Sequence, residues 1–266
     1  MTLLSFLGDP DLSILITLGF ISIFSWFVST LSGGGSSLLL MPSVGLLLGA
    51  KFIAPATTVG AIVGNGDRVI AYRQYIQWQV IFWEVPGAFL GSFLGAFVLT
   101  KIQGHYLGIL VGLFLIFSAI TFFVRKGQEG QDSDIKTFKV AAWYFLPAGF
   151  CYATLSGIMG GMGPLLAPLY LNFGLQKESL LGTQATARMV IHITKLIAYE
   201  LFGILTKEHF IYGIIIGMAA IIGNWMGNFV LRRMSEKQFR QGVMGFVFFG
   251  GLLMLWQNLS FQLTDF

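Results

Sequence analysis

Charged side chains are scarce in this chain: 11% of its 266 residues are Asp, Glu, Lys or Arg, whereas soluble domains carry about a quarter. Four tracts contain none at all, at residues 12–50, 140–176, 210–231 and 241–264. Because about 20 apolar residues suffice to cross a bilayer, several crossings are expected. The deficit excludes an ordinary water-soluble fold and predicts an all-α polytopic membrane protein.

Cysteine and the common catalytic motifs are also missing. The single cysteine, Cys151, lies in an apolar segment and is expected to pack there, so neither a disulfide nor a thiolate metal cluster can form within the chain. Neither an HExxH motif nor a GxxxxGK[ST] phosphate loop occurs. We therefore expect no enzyme, no cofactor, no metal and no ATP hydrolysis. The net charge of +4 is not taken to indicate nucleic-acid binding, because in a membrane protein the placement of Lys and Arg in the loops matters more than their sum.

Five apolar segments are predicted in each half of the chain. The first begins at Leu12 behind Asp9 and Asp11, whereas a signal peptide has a basic leader, so it is expected to be retained. A solvated linker at 125–139 separates two repeats, at 1–124 and 140–266. The segments are 12–31, 35–50, 53–73, 78–99 and 104–124, then 140–157, 160–175, 179–201, 209–231 and 241–258.

Loop charges predict the orientation in the membrane. If all ten segments cross, ten basic residues fall on one side and three on the other, which places both termini outside the cytoplasm. If the short second segment of each half is a re-entrant hairpin, eight crossings remain and the bias weakens. The first group is Arg73, Arg125, Lys126, Lys136, Lys139, Lys177, Arg232, Arg233, Lys237 and Arg240, and the second is Lys51, Lys101 and Lys207.

The two halves are similar at an offset of 127 residues. The run 68–72 (RVIAY) matches 195–199 (KLIAY), and Gly33 and Gly34 match Gly160 and Gly161. After a short drift, 91–99 matches 223–231, and both runs contain a GxxxG pair. With an odd number of crossings in each half, the repeats must have inverted topology, as in many secondary transporters.

Each half contains a glycine-rich break, SGGGSS in the first and SGIMGGMG in the second, with proline following. Such breaks interrupt helices, and freed backbone at membrane depth is tolerated only beside protein or a water-filled cavity. The following helix would present amide groups that attract anions. Paired breaks point to a binding site near the midplane. Close helix packing by small residues is the alternative explanation, and it suffices for the GxxxG pairs.

A polar stripe follows each break at helical spacing. It comprises Thr58, Ala61, Asn65, Arg68 and Tyr72 in the first half, and Gln184, Arg188, His192, Lys195 and Tyr199 in the second. A cation at bilayer depth indicates a functional site, and Arg188, nearest the middle of its segment, is the best candidate for holding an anion.

The other ionisable residues leave alternatives open. Arg68 and Lys195 either face the interior or extend to the interface. His192 and Asp67 are candidates for proton or ion coupling, with structural hydrogen bonding as the alternative. Glu84 is expected near the cytoplasmic interface.

These features resemble the sulfite exporter TauE/SafE family of membrane permeases. The resemblance rests on the first break, the run PATTVGAIVGN, the GxxxG helix and the run LLGTQATARMVIHITKLIAYELFG, and it extends from about residue 20 to 255. It implies an inner-membrane carrier that exports sulfite or organosulfonates and binds them between the repeats. The implied binding residues are Ser32, Gly33, Gly34, Gly35, Ser36, Ser37, Thr57, Thr58, Asn65, Gly160, Gly161, Met162, Gly163, Thr183, Gln184 and Arg188.

The expected partners are a small anion and the lipid bilayer. A homodimer is left open, because glycine faces serve packing within and between chains equally well. Two other functions are also open: a carrier of another solute such as a metal cation, and a membrane sensor or assembly protein without transport.

Overall fold

The computed structural model describes residues 12–101 and 140–239, with 241, 242 and 245. All regular structure in these residues is helical. Two short 3-10 turns, Arg73–Tyr75 and Ala142–Tyr144, accompany eight α-helices. These are α1 Leu12–Leu31, α2 Ser37–Leu48, α3 Ala50–Tyr72, α4 Trp78–Leu99, α5 Phe145–Met159, α6 Ala167–Phe173, α7 Lys177–Leu201 and α8 Lys207–Leu231. The predicted segment 104–124 and the linker 125–139 lie outside the described residues, as does nearly all of 241–258.

Three of the described helices are long and apolar enough to cross a bilayer: α1, α4 and α8. The helices α3 and α7 have similar lengths, but they carry the polar stripes and do not meet that criterion of composition. The three spanning helices turn large apolar side chains outward, as Phe20, Leu90 and Trp225 show, with exposed fractions of 64–70%. Apolar surface of this extent fits contact with lipid and confirms a membrane protein of helical class.

The GxxxG pairs lie at helix–helix contacts within the chain. On α4, a Cβ at Gly91 would lie 2.3 Å from the Phe150 carbonyl oxygen of α5. On α8, a Cβ at Gly223 would lie 2.4 Å from the Ile23 carbonyl oxygen of α1. Both approaches are closer than any side chain allows, so the glycines permit backbone contact, as expected of small residues in membrane helices.

The two halves make equivalent contacts at their stripes. Arg68 of α3 donates a hydrogen bond to the Ser29 hydroxyl of α1 (3.1 Å), and Lys195 of α7 donates one to the Ser156 hydroxyl of α5 (3.2 Å). Each pair is separated by the same 39 residues. The internal similarity seen in the sequence therefore extends to matching tertiary contacts.

One expectation about a single residue was wrong: Cys151 is exposed on α5 rather than packed inside. Glu84 is 1% exposed and accepts a hydrogen bond from the Tyr170 hydroxyl, and its place near the cytoplasmic interface stays a prediction. The carboxyl group is buried where α4 meets α6, and the phenol provides the polar partner that burial requires.

Candidate functional site

Both glycine-rich stretches are unwound, as predicted. Between α1 and α2, Gly33, Gly34 and Gly35 have φ values of 70°, 120° and 102°. Between α5 and α6, Gly160 and Gly163 have φ values of 94° and 54°. Positive φ strongly favours glycine, which has no Cβ, and this explains why these residue types end the helices.

The two breaks touch each other. The Gly163 amide donates a hydrogen bond to the Ser37 hydroxyl (2.8 Å), which joins the break of one half to that of the other. A Cβ at Gly161 would lie 2.6 Å from the Ser37 Cβ, so the absence of a side chain at Gly161 permits the contact. The contact brings residues remote in sequence to one place inside the helix bundle.

A cavity of about 40 Å³ lies beside this contact. One water needs about 10–15 Å³ on this measure, so the space fits about three water-sized groups, the scale of a small oxyanion. The stripes of α3 and α7 complete its wall. The lining residues are Trp26, Ser29, Gly34, Gly35, Ser36, Ser37, Leu40, Thr57, Ala61, Asn65, Arg68, Tyr152, Gly160, Gly161, Gln184, Arg188 and His192.

Arg188 reaches this cavity from α7. Its Nη1 donates to the Gly163 carbonyl oxygen (3.1 Å), and its guanidinium carbon lies 4.1 Å from the centre of the Tyr152 ring. Contact between a guanidinium and an aromatic face is attractive and fixes the plane of the group. The second break therefore orients the arginine that the sequence had singled out.

Gln184 connects Arg188 to the first break. In the amide orientation that satisfies both of its ends, Nε2 donates to the Gly33 carbonyl oxygen (2.9 Å) and Oε1 accepts from Arg188 Nη2 (3.1 Å). The side chain fits because Gly34 has no Cβ, which would lie 2.6 Å from the side-chain amide of Gln184. One hydrogen-bonded chain thus joins the first break to the guanidinium.

Arg68 and Lys195 are both buried, with exposed fractions of 4% and 0%. The alternative that they extend to the membrane interface is therefore wrong for both residues. Arg68 lines the cavity and lies against the Trp26 ring, with its guanidinium carbon 4.7 Å from the ring centre. Lys195 does not line it, and its Nζ donates to the Gly160 carbonyl oxygen (2.8 Å).

These three cations have no acidic partner in the described part of the chain. No carboxylate oxygen there lies within 4.0 Å of the side-chain nitrogens of Arg68, Arg188 or Lys195. Buried charges in proteins are normally paired, because removing an ion from water costs free energy. Asp67 and Glu84 attract Arg68 and Arg188 only from beyond this distance, so among the described residues no guanidinium at the cavity is directly paired, which favours an anion there.

Several residues implied by the resemblance lie outside the cavity wall. Ser32 donates to the Val28 carbonyl oxygen (2.7 Å), and Thr183 accepts from the Gln77 amide (2.9 Å). Asp67 accepts hydrogen bonds from Asn224 and Trp225 rather than pairing with an arginine. The other residues outside the wall are Gly33, Thr58, Met162 and Gly163.

The cavity also includes residues to which the sequence assigned no role: Trp26, Ser29, Leu40 and Tyr152. Trp26 lies about two turns before Gly33 and Ser29 about one turn, and Tyr152 lies about two turns before Gly160. Their signal is faint, because aromatic and small residues are common in membrane helices for packing reasons alone. Only the approach of the two breaks brings them to the same wall.

These features define a polytopic helical membrane protein with a small internal cavity lined by cations. A family model described as sulfite exporter TauE/SafE matches residues 18–254. The chain belongs to this family of membrane permeases, which confirms the resemblance stated from the motifs. Its members are transporters, in agreement with the expectation that the chain is not an enzyme. No curated protein and no solved structure matches the chain.

Proposed function

We propose that this protein exports small sulfur-containing oxyanions, such as sulfite or organosulfonates, across the cell inner membrane. The observation that carries the proposal is the internal cavity between two unwound segments, whose guanidiniums have no carboxylate partner among the described residues. Arginine suits this role because its planar fork donates to two oxygens at once. The cavity between the halves is the binding site.

The first break supplies further hydrogen-bond donors. Ser36 and Ser37 line the cavity at the beginning of α2. The amides of Leu38 and Leu39 donate to carbonyl oxygens of the break, whereas those of Ser36 and Ser37 have no acceptor in the described residues. A helix start favours negative charge, and hydroxyl groups donate to oxyanions as well. The membrane potential, negative inside, favours anion exit by about 2.3 kcal/mol per charge per 100 mV. Export therefore needs no coupled ion, whereas import would need protons or sodium.

Alternating access follows from an inverted arrangement of the repeats, which we propose on two contacts. Phe52 near the start of α3 packs against His209 near the start of α8, with ring centres 4.7 Å apart. Tyr72 at the end of α3 approaches Gly182 near the start of α7. The equivalent helices α3 and α7 thus begin at opposite ends of the bundle. Repeats of this kind exchange conformations to open a central site on either side.

The test is a flux assay in proteoliposomes with sulfite, thiosulfate, sulfoacetate, sulfate and chloride. We expect flux of the sulfur oxyanions and at least about a tenfold loss in Arg188→Gln, because a charged hydrogen-bonding partner is removed from the site. The matched control is Arg73→Gln, at an exposed arginine beyond α3, which should leave flux unchanged.

Two results would contradict the proposal. Anion flux that persists or rises in Arg188→Gln would contradict the role of Arg188 in holding the substrate. A carrier of cations would instead move a metal cation, and that flux should persist or rise in Arg188→Gln because the removed charge opposed the substrate. No flux of any anion in the wild-type protein would favour a sensor or assembly protein. A sealed-vesicle control with protein-free liposomes measures the passive leak of each anion.

A further inference from the structure

Arg68 is held by the protein on one side of its guanidinium group. Its Nε donates to Asn224 Oδ1 (2.8 Å), and Nη2 lies within hydrogen-bond distance of Trp26 O, Ser29 Oγ and Thr30 Oγ1 (2.9–3.3 Å). Nη1 has no acceptor in the described residues, although the side chain lines the cavity. Two N–H bonds of this nitrogen are therefore left for a ligand.

Asn224 of α8 fixes this orientation. Its Nδ2 donates to the Gly64 carbonyl oxygen (2.9 Å) and to Asp67 Oδ2 (3.0 Å), so its Oδ1 must face the Arg68 Nε. The reversed amide would direct two donors at a guanidinium and leave Asp67 facing an oxygen. Asn224 thereby connects a carboxylate to Arg68 without letting the two charges pair directly.

The second half lacks this arrangement. The residues at the equivalent positions are Lys195 for Arg68, Thr194 for Asp67 and Ser92 for Asn224. Lys195 donates instead to Ser156 and to the Gly160 carbonyl oxygen, and it does not line the cavity. The first half is therefore specialised to present a guanidinium to the cavity, whereas the second half presents Arg188 from a position where the first has alanine.

Two guanidiniums, one from each half, consequently share a cavity of about 40 Å³. No carboxylate oxygen of the described residues lies within 4.0 Å of either guanidinium, so a singly charged ligand would pair directly with only one of them, whereas a doubly charged ligand could pair with both. The Trp26 Nε1–H, a group that can only donate, also has no acceptor in the described residues. All three groups donate hydrogen bonds and favour a ligand with several oxygens, and the two guanidiniums favour more than one negative charge.

We propose that the cavity binds a doubly charged oxyanion between Arg68 and Arg188, with Asn224 and Asp67 as positioning residues that hold Arg68 in place. This inference rests on the proposed function and adds the charge class of the substrate. It also assigns a binding role to Arg68, which lies in the first half, and a supporting role to Asn224, which lies outside the cavity wall.

The test uses two anions of nearly equal shape. Thiosulfate and methanesulfonate share an SO₃ group and differ in one terminal group, sulfur or methyl, so thiosulfate has a charge of −2 and methanesulfonate −1. Half-saturation concentrations for both are measured in proteoliposomes. We expect the wild-type protein to favour thiosulfate by at least about tenfold, since the second charge engages a second guanidinium.

Variants test whether the preference for thiosulfate over methanesulfonate depends on Arg68. In Arg68→Gln the preference should fall to about twofold or less, chiefly through weaker thiosulfate binding. In Asn224→Asp a carboxylate meets the Arg68 Nε directly, so the preference should fall although Arg68 is still present. A purely structural role for either residue would lower the flux of both anions equally. Arg73→Gln, at the exposed arginine, should keep the wild-type ratio.

Binding to the wild-type protein provides a measurement that does not depend on variant folding. Thiosulfate should raise the thermal unfolding midpoint of the purified protein more than methanesulfonate does at equal concentration and ionic strength. Equal flux and equal stabilisation by the two anions would overturn the inference, as would an unchanged ratio in Arg68→Gln. If the wild-type protein carries neither of these two anions nor any anion of the flux panel, the proposed function itself fails, which is a distinguishable result.

Discussion

At the scale of single residues, the cavity depends on Gly34, because this residue has no side chain. Gly34 has φ of +120°, and a Cβ there would lie 2.6 Å from the side-chain amide of Gln184. Gln184 in turn accepts a hydrogen bond from Arg188. A methyl group at this position would therefore disturb the guanidinium two contacts away, without touching it.

We predict that Gly34→Ala lowers anion flux by at least about tenfold, a loss of the size expected for one charged hydrogen bond. The matched control is Gly49→Ala, which also has positive φ (+92°) but nothing within 4 Å of the added Cβ. Both changes should lower stability by about 1–3 kcal/mol through backbone strain. Flux and thermal unfolding are measured for both variants, and equal flux in the two would contradict the role of Gln184.

At the scale of helices, backbone contact between α4 and α5 holds the second break against the first half. The carbonyl oxygens of Phe150 and Thr154 would lie 2.2–2.3 Å from a Cβ at Gly91 and Gly95. Because backbone cannot rotate away as a side chain can, the helices must separate to admit even a methyl group. The pair α1 and α8 makes the equivalent contact through Gly223 and Gly227.

We predict that Gly91→Ala lowers the free energy of unfolding by about 1–3 kcal/mol, the usual cost of overpacking. Gly19→Ala is the control, since Gly19 is also a glycine within a spanning helix but has nothing within 4 Å of the added Cβ. That variant should be neutral or slightly more stable, because alanine favours the helix. Thermal unfolding in detergent compares the two variants. Equal midpoints would show that α4 and α5 admit a methyl group without loss of stability and would contradict the prediction.

At the scale of the whole molecule, exposed basic residues divide between the two ends of the helix bundle. Arg73 follows α3 and Arg233 follows α8, whereas Lys207 begins α8 and Lys101 follows α4. The packing of Phe97 against Phe202, with ring centres 6.0 Å apart, brings the ends of α4 and α7 to the same end as the start of α8. The positive-inside rule then favours the Arg73 end for the cytoplasm.

We predict opposite accessibility for cysteines placed at the two ends. In a Cys151→Ala background, Lys101→Cys and Lys207→Cys should react with a membrane-impermeant maleimide added outside intact cells. Arg73→Cys and Arg233→Cys should react only after permeabilisation. The four sites are exposed in the folded chain, so labelling reports sidedness rather than burial. Labelling of Arg73→Cys and Lys207→Cys from the same side would contradict the predicted topology.

The helices and the breaks were predictable because their causes are local. The segment 12–31 coincides with α1 and 78–99 with α4, since length and hydropathy along the chain decide both. Glycine runs interrupt helices wherever they occur, so the positions of both breaks follow from composition. Arg188 was identifiable by the same logic, as a charge near the middle of an otherwise apolar segment.

The composition of the cavity required the tertiary structure. The sequence left Arg68 either at the interface or inside, and the burial of Arg68 depends on Asn224, a residue 156 positions away. Trp26 and Tyr152 joined the wall for the same reason, while Thr183 and Asp67 did not. Glu84 is buried because α6 brings Tyr170 to it. The sequence by itself determined the membrane class and the breaks, because each is a property of neighbouring residues. Which polar side chains share one small space was decided by packing between distant segments.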